Sequence, residues 1–363
     1  MTSIYDNNTK KVIIKSRLFS TLTMEKGVFF SLATYKNDLF MNKDPKKVLE
    51  FYESINNVQE MITWLEERPK GRAEIFEVDG DSEIVVVIPT ADHNNTHAKR
   101  CSEEIFHGFR IIFVESGNFS DPFFSFSHNC NIGIKKALEY NPKYIIWTND
   151  DMIKIDEPEK LKSELIKVRN QKPKVIFANS NYQVSTPVKI VKFNILGSLI
   201  LKLISELKIN IWTWVNKSKN NIFLNTVPFK MLLERYIKLF FYNKFQTEFF
   251  LANIRLAPTS FLFTNRIIYH NFDAFGILDC NFVKSLEEVF DEHLIVQHAD
   301  QDLSLRFGID PKEVAWIDYS IKGVGRATIK DNFSERLRNL IADVYIDYKI
   351  SKVEYGYILT SNS

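Results

Sequence analysis

Four short runs of β-branched and aromatic residues constrain this chain more than any other feature. They are Ile84–Ile88 (IVVVI), Arg110–Val114 (RIIFV), Tyr144–Thr148 (YIIWT) and Val175–Ala178 (VIFA). Runs that are apolar at nearly every position, not at alternate ones, belong to strands covered on both faces. Helical spacing fills the gaps: Thr96 can cap a helix ending near His107 and Gly108, and another is predicted near Asn131–Tyr140. Strands alternating with helices pair in parallel through right-handed crossovers. The expectation is an α/β sheet with helices on both faces, and ligands in such sheets sit beyond the carboxyl ends of the strands. Those ends carry Pro89-Thr90, Glu115-Ser116 and Asn149-Asp150-Asp151.

Residues 1–80 read as an N-terminal extension. One helix is predicted from Pro45 to Glu67, with Asp44 as N-cap, Pro45 at its first position and Gly71 beyond its end. Val48, Phe51, Tyr52, Ile55, Val58, Ile62 and Leu65 give it one apolar face. The main domain is expected over 81–330, and a C-terminal helix and tail over 331–363.

Bulk properties exclude several functions. A net charge of +2 over 363 residues offers no strong field for nucleic acid. Cys101, Cys130 and Cys280 are far apart and odd in number, so neither a zinc motif nor a disulfide framework is indicated. No stretch of roughly eighteen apolar residues runs without a charge, and the first residues lack a signal-peptide pattern. These readings lead to the expectation of a cytoplasmic protein without a transmembrane helix. No GxGxxG or GxxxxGK[ST] follows a strand, against dinucleotide and P-loop sites.

Asp150 and Asp151 are the chemically pointed residues. Adjacent carboxylates repel and lose hydration at a strand end unless a cation or donors compensate. Hard oxygen ligands suit Mg²⁺ or Mn²⁺. The other reading open at this point is a solvated turn in which one of them caps the next helix. Asp300 and Asp302 stand at the start of an apolar-patterned helix, where the helix dipole favours acids. Asp302 has Arg306 one turn later as a partner.

Five stretches in order resemble the family 2 glycosyltransferases, which use nucleotide sugars and have the GT-A fold. They are VVVIPT (85–90), FVESGNFSD (113–121), SFSHNCNIGIKKAL (125–138), IIWTNDD (145–151) and FDEHLIVQHADQDLSLR (290–306). The resemblance implies a Rossmann-like, mostly parallel sheet covered by helices, with the N-terminal extension and a helical insertion added. It implies that Asp150 and Asp151 hold Mg²⁺ or Mn²⁺ on the diphosphate of a nucleotide-sugar donor, with Pro89, Thr90, Glu115 and Asn131 around that donor. Asp300 becomes the general base on an acceptor hydroxyl, giving inversion at the anomeric carbon. The chain departs from the family at Ala299, where a Glu is customary, and over 316–328, where no metal-binding His occurs. Lys322 or Arg326 is left as a diphosphate ligand, or as a solvated loop charge. His93 and His97 flank a helix start and read as having no metal-ligand partners. His128 and His298 read as hydrogen-bonded or loop-ordering residues. The competing reading is an inactive sugar-nucleotide or membrane-binding relative.

Over 185–250 the chain is longer than the resemblance needs. Residues 186–250 hold ten Lys and Arg against three Asp and Glu. Phe193, Leu196, Ile200, Leu203, Ile204, Leu207 and Ile211 form one apolar stripe, Trp212 and Trp214 follow, and Pro228–Phe240 forms a second candidate helix. A basic amphipathic helix either lies on an anionic membrane, which suits a lipid-linked rather than a free glycan acceptor, or packs against the domain or in a homodimer.

Overall fold

The computed structural model describes residues 34–117, 123–179, 184–192, 249–253, 263–272, 275–295, 297–307, 311–324 and 333–351. The chain divides into two compact units, Met1–Pro69 and Lys70–Ser363.

In the first unit the expected single helix is two, Pro45–Ser54 and Val58–Glu67. Asp44 caps the first as expected, its side chain accepting the Lys46 amide at 3.0 Å. Asn57 starts the second by accepting the Glu60 amide at 2.9 Å, and Glu60 in return accepts the Asn56 amide at 3.0 Å. This reciprocal cap breaks the chain between two helices whose apolar spacing stays in phase. Phe51 lies at the centre of the core, with ring centroids 4.9 Å from Phe40 and 4.6 Å from Trp64.

The second unit is built on an eight-stranded sheet. In chain order its strands are β1 (Glu74–Val78), β2 (Asp81–Thr90), β3 (Phe109–Glu115), β4 (Tyr144–Thr148), β5 (Met152–Lys154) and β6 (Val175–Asn179), then β10 (Phe275–Asp279) and β11 (Val314–Gly323). Their spatial order is β1-β3-β2-β4-β10-β6-β11-β5. The pairs β2–β3, β2–β4 and β6–β11 are parallel, whereas β1–β3, β4–β10, β10–β6 and β11–β5 are antiparallel. So β2, β3, β4, β6 and β11 run one way and β1, β10 and β5 the other. The sheet is therefore mixed, with its reversed strand β10 lodged between β4 and β6. β1 also corrects the domain boundary: residues 74–78 are the sheet's edge strand, not the end of an extension.

Helices cover both faces, as the uninterrupted apolar strands require. Ile84, Val86 and Ile88 point to a core shared with Ala98, Cys101, Ile105, Leu161 and Leu165. The helix Thr96–Arg100, continued by a π-helical turn at Cys101–Ile105, and the helix Pro158–Val168 supply those residues. Its N-cap is Asn95, not Thr96. On the opposite face runs the helix Phe126–Leu138, capped by Ser125 and starting five residues before the expected Asn131. A Cβ on Gly133 would lie 2.3 Å from Val87 Cγ1 and 2.8 Å from Val114 Cγ2, so glycine sets this close approach of helix to sheet.

A smaller antiparallel sheet, in the order β8-β7-β9, comprises β7 (Val184–Lys192), β8 (Phe249–Asn253) and β9 (Phe263–Asn271). The flanks of the expected helical insertion are thus strands. Its apolar stripe and tryptophans, with the Pro228–Phe240 candidate, lie outside the described residues. The C-terminal helix is present over Phe333–Ser351 and belongs to the same unit as the sheet. No described helix is long and apolar enough to cross a membrane.

Candidate active site

Strands β2, β3 and β4 end side by side, so one edge of the sheet collects Thr90, Glu115 and the Asp150–Asp151 pair. Thr90 pairs with Glu115 in register. The Thr90 hydroxyl donates to Asp150 Oδ2 at 2.7 Å, and the Asn95 side-chain amide reaches the same oxygen at 3.4 Å. Asn95 also accepts the Ala98 amide at 2.8 Å, so the residue that begins the helix also braces the carboxylate. From the next turn the Cys101 thiol donates to the Asp150 carbonyl at 3.2 Å. Burial, and then the Asp150 charge, push that thiol up to about 12, so it is a packed donor and no nucleophile.

Asp150 and Asp151 are 8% and 5% exposed, which rules out the solvated-turn reading. Neither caps the next helix, whose N-cap is Glu157. The Asp151 carbonyl accepts the Val324 amide at 3.0 Å, and Gly323 pairs with Met152, so the end of β11 lies against the acidic pair. Lys322 points to the exposed face of β11, and Arg326 lies outside the described residues. Among the described residues no lysine or arginine pairs with Asp150. Two buried neighbouring carboxylates with neutral donors on one of them are a hard, all-oxygen donor set, and this fits a divalent cation.

Glu115 is 6% exposed and already engaged. One oxygen accepts the His93 amide at 3.2 Å and lies 2.6 Å from His93 Nδ1, and the other is 3.2 Å from an Arg72 guanidinium nitrogen. The His93 ring stacks on Phe76 with centroids 3.7 Å apart. Ligand atoms of Asp92, His93 and Glu115 lie within 4.8 Å of one another. This corrects the sequence reading that left His93 without such partners. Arg72 gives Glu115 its counter-ion. Arg72, Phe76, His93 and Asn95 went unpredicted. Only Asn95, a capping residue type just before a helix, carried a readable signal.

Asn131 is a strut between helix and loop. Its amide nitrogen donates to the Phe290 carbonyl at 2.7 Å and its oxygen accepts the Phe290 amide at 3.0 Å. The amide nitrogen also lies 3.4 Å from a Glu292 carboxylate oxygen. Pro89 is buried within β2, in register with Val114.

Asp300 occupies the first turn of the helix Ala299–Phe307. Its Oδ2 accepts the Phe272 amide at 3.3 Å. Phe272 leads into β10, whose first residue pairs with Thr148, the last of β4. Its ring centroid is 6.1 Å from that of Trp147 and 5.0 Å from that of Phe177. Asp300 therefore comes to the same end of the sheet as Asp150 and Asp151. Burial pushes its carboxyl up to about 6, while His298 and backbone amides pull it back. Asp302 is structural: fully buried, it is held 2.8 Å from Lys349 Nζ and, as expected, 2.9 Å from Arg306 Nε. His128 is a hydrogen-bonded residue, its Nδ1 lying 3.0 Å from Glu292.

No protein-family model, curated protein or solved structure matches the chain.

Proposed function

We propose that this chain is an inverting, metal-assisted glycosyltransferase of the GT-A type, moving a sugar from a nucleotide-diphosphate sugar to a glycan or lipid-linked acceptor hydroxyl. One observation carries the reading: a buried carboxylate pair at the exit of β4 shares one end of the sheet with Asp300, whose carboxyl is raised to about 6. The first set of groups meets a cation and a diphosphate; the second accepts a proton near neutral pH.

Asp150 and Asp151 would hold Mg²⁺ or Mn²⁺, which supplies Lewis-acid stabilisation of the negative charge on the departing diphosphate. Thr90 and Asn95 fix the orientation of Asp150 by their hydrogen bonds to Oδ2. Glu115, held by Arg72 and His93, and Thr90 line the donor side. Asp300 takes the acceptor's hydroxyl proton as its oxygen bonds the anomeric carbon. The bond from that carbon to the phosphate oxygen breaks, and its electron pair leaves with the nucleoside diphosphate. Attack opposite the leaving group inverts the configuration.

Thermal unfolding with a panel of nucleotides and nucleotide sugars, with and without Mn²⁺, tests the donor class, because ligands of the folded state raise its Tm. A shift that needs both a nucleotide sugar and the metal, and that Asp151→Asn abolishes, supports the reading. A flat panel overturns it. If the shift appears but the native chain transfers sugar to no acceptor, the chain is a sugar-nucleotide binder and not an enzyme; a transfer rate that Asp300→Asn leaves unchanged removes Asp300 as the base.

A further inference from the structure

His298 sits two residues before Asp300 and has a backbone φ of 65°. A non-glycine residue in that region is held there by its surroundings. The contacts that hold it are on its ring. Nε2 lies 2.6 Å from Asp343 Oδ1 on the C-terminal helix, and Nδ1 faces the Gln301 side-chain oxygen. A neutral imidazole has one N–H and one lone pair, so it can satisfy only one of two oxygen acceptors by donation. Two facing oxygens call for the doubly protonated ring.

The neighbourhood leaves that charge with a task. Lys349 lies against Asp291 and Asp302, and Arg306 against Asp302. Among the described residues, the Phe272 amide, the first-turn amides of Asp300 and Gln301, and His298 favour the ionised form of Asp300, against its desolvation. Asp343, by contrast, faces the far nitrogen of the ring.

We propose that His298 is a positioning residue: an imidazolium anchored by Asp343 that, two residues away at the same helix start, favours the ionised form of Asp300. This deepens the glycosyltransferase reading, on which the role of Asp300 as base rests. Asp343 thereby ties the C-terminal helix to the charge state of the acceptor side. Burial works against the cation at His298, and Asp343 outweighs it, so the ring titrates above an ordinary histidine.

The test uses the full-length chain, labelled with ¹⁵N. The ring nitrogens of His298 should report an imidazolium at pH 7, and the Phe272 amide, which donates to Asp300, should titrate with a midpoint near pH 6. In His298→Gln, which removes the charge, that midpoint should rise by about one unit or more. His298→Asn repeats the test with a residue that tolerates the left-handed backbone, so a folding defect in one variant does not decide the matter. The ascending limb of kcat/KM should move up by the same amount, making each variant about tenfold slower than the native chain near pH 5.5. A neutral ring at pH 7, as a turned-over Gln301 amide would give, overturns the proposal. So does an unmoved Phe272 midpoint in both variants. Should no donor support transfer, the enzyme reading falls, while the two NMR titrations still decide whether His298 sets the ionisation of Asp300.

Discussion

Residue by residue, the site sets chemistry against stability at Asp300. Its folded value of about 6 lies above the roughly 3.9 of an unfolded aspartate. Between those two values the folded chain keeps a proton that the unfolded chain has released, so stability falls as pH rises from about 4 to about 6. Asp300→Asn lacks that loss. Its Tm should exceed that of the native chain at pH 7.5, with the gap closing towards pH 4, as calorimetry can show. Transfer should drop about 10²–10⁴-fold in the same variant, with the nucleotide-sugar Tm shift kept. In the native chain kcat/KM should rise with a slope of one proton through about pH 6. The acidic pair was legible in the sequence because two carboxylates ending an apolar strand are conspicuous. The surroundings were not, since Arg72 and Phe76 reach Glu115 and His93 from an edge strand and the residues just before it, which no local pattern tied to this corner.

Elements carry the geometry that these residues need. The four apolar strands were legible because burial on both faces leaves no polar position to confuse the pattern. β10 was not: FGILD is short, and only pairing with β4 and β6 across distant sequence makes it a strand. The division of the N-terminal helix was hidden by apolar spacing that continues across Asn57, although the Asn-x-x-Glu cap was there to be read. Gly133 predicts a cost that the fold sets alone. In Gly133→Ala the new methyl meets the side chains of two sheet valines, and chemical denaturation should register a loss of about 1–3 kcal/mol. The C-terminal helix makes a second prediction. Lys349 Nζ lies 2.6 Å from Asp291 and 2.8 Å from Asp302, all three buried. Lys349→Met leaves two carboxylates without that cation and should cost about 3–5 kcal/mol in the same measurement.

At the scale of the molecule, the two units have separate cores. Truncation to residues 70–363 should therefore retain the Mn²⁺-dependent Tm shift with nucleotide sugar. The ten basic residues over 186–250 predict association with anionic liposomes that declines as salt rises from about 50 to 200 mM, measured by cosedimentation. Absence of binding at low salt would leave packing or self-association as the role of that segment. The position of β10 also bears on how the chain is made. During synthesis β4 and β6 emerge with no strand to join them, and β10 follows Asn179 only after about a hundred further residues. At roughly 5–20 residues per second, two open strand edges wait for about 5–20 s on the ribosome. The nascent half-sheet is the stage at which a chaperone has most to protect, and the end of the sheet that carries Asp150 and Asp151 first meets Asp300 after β10 slots into the gap.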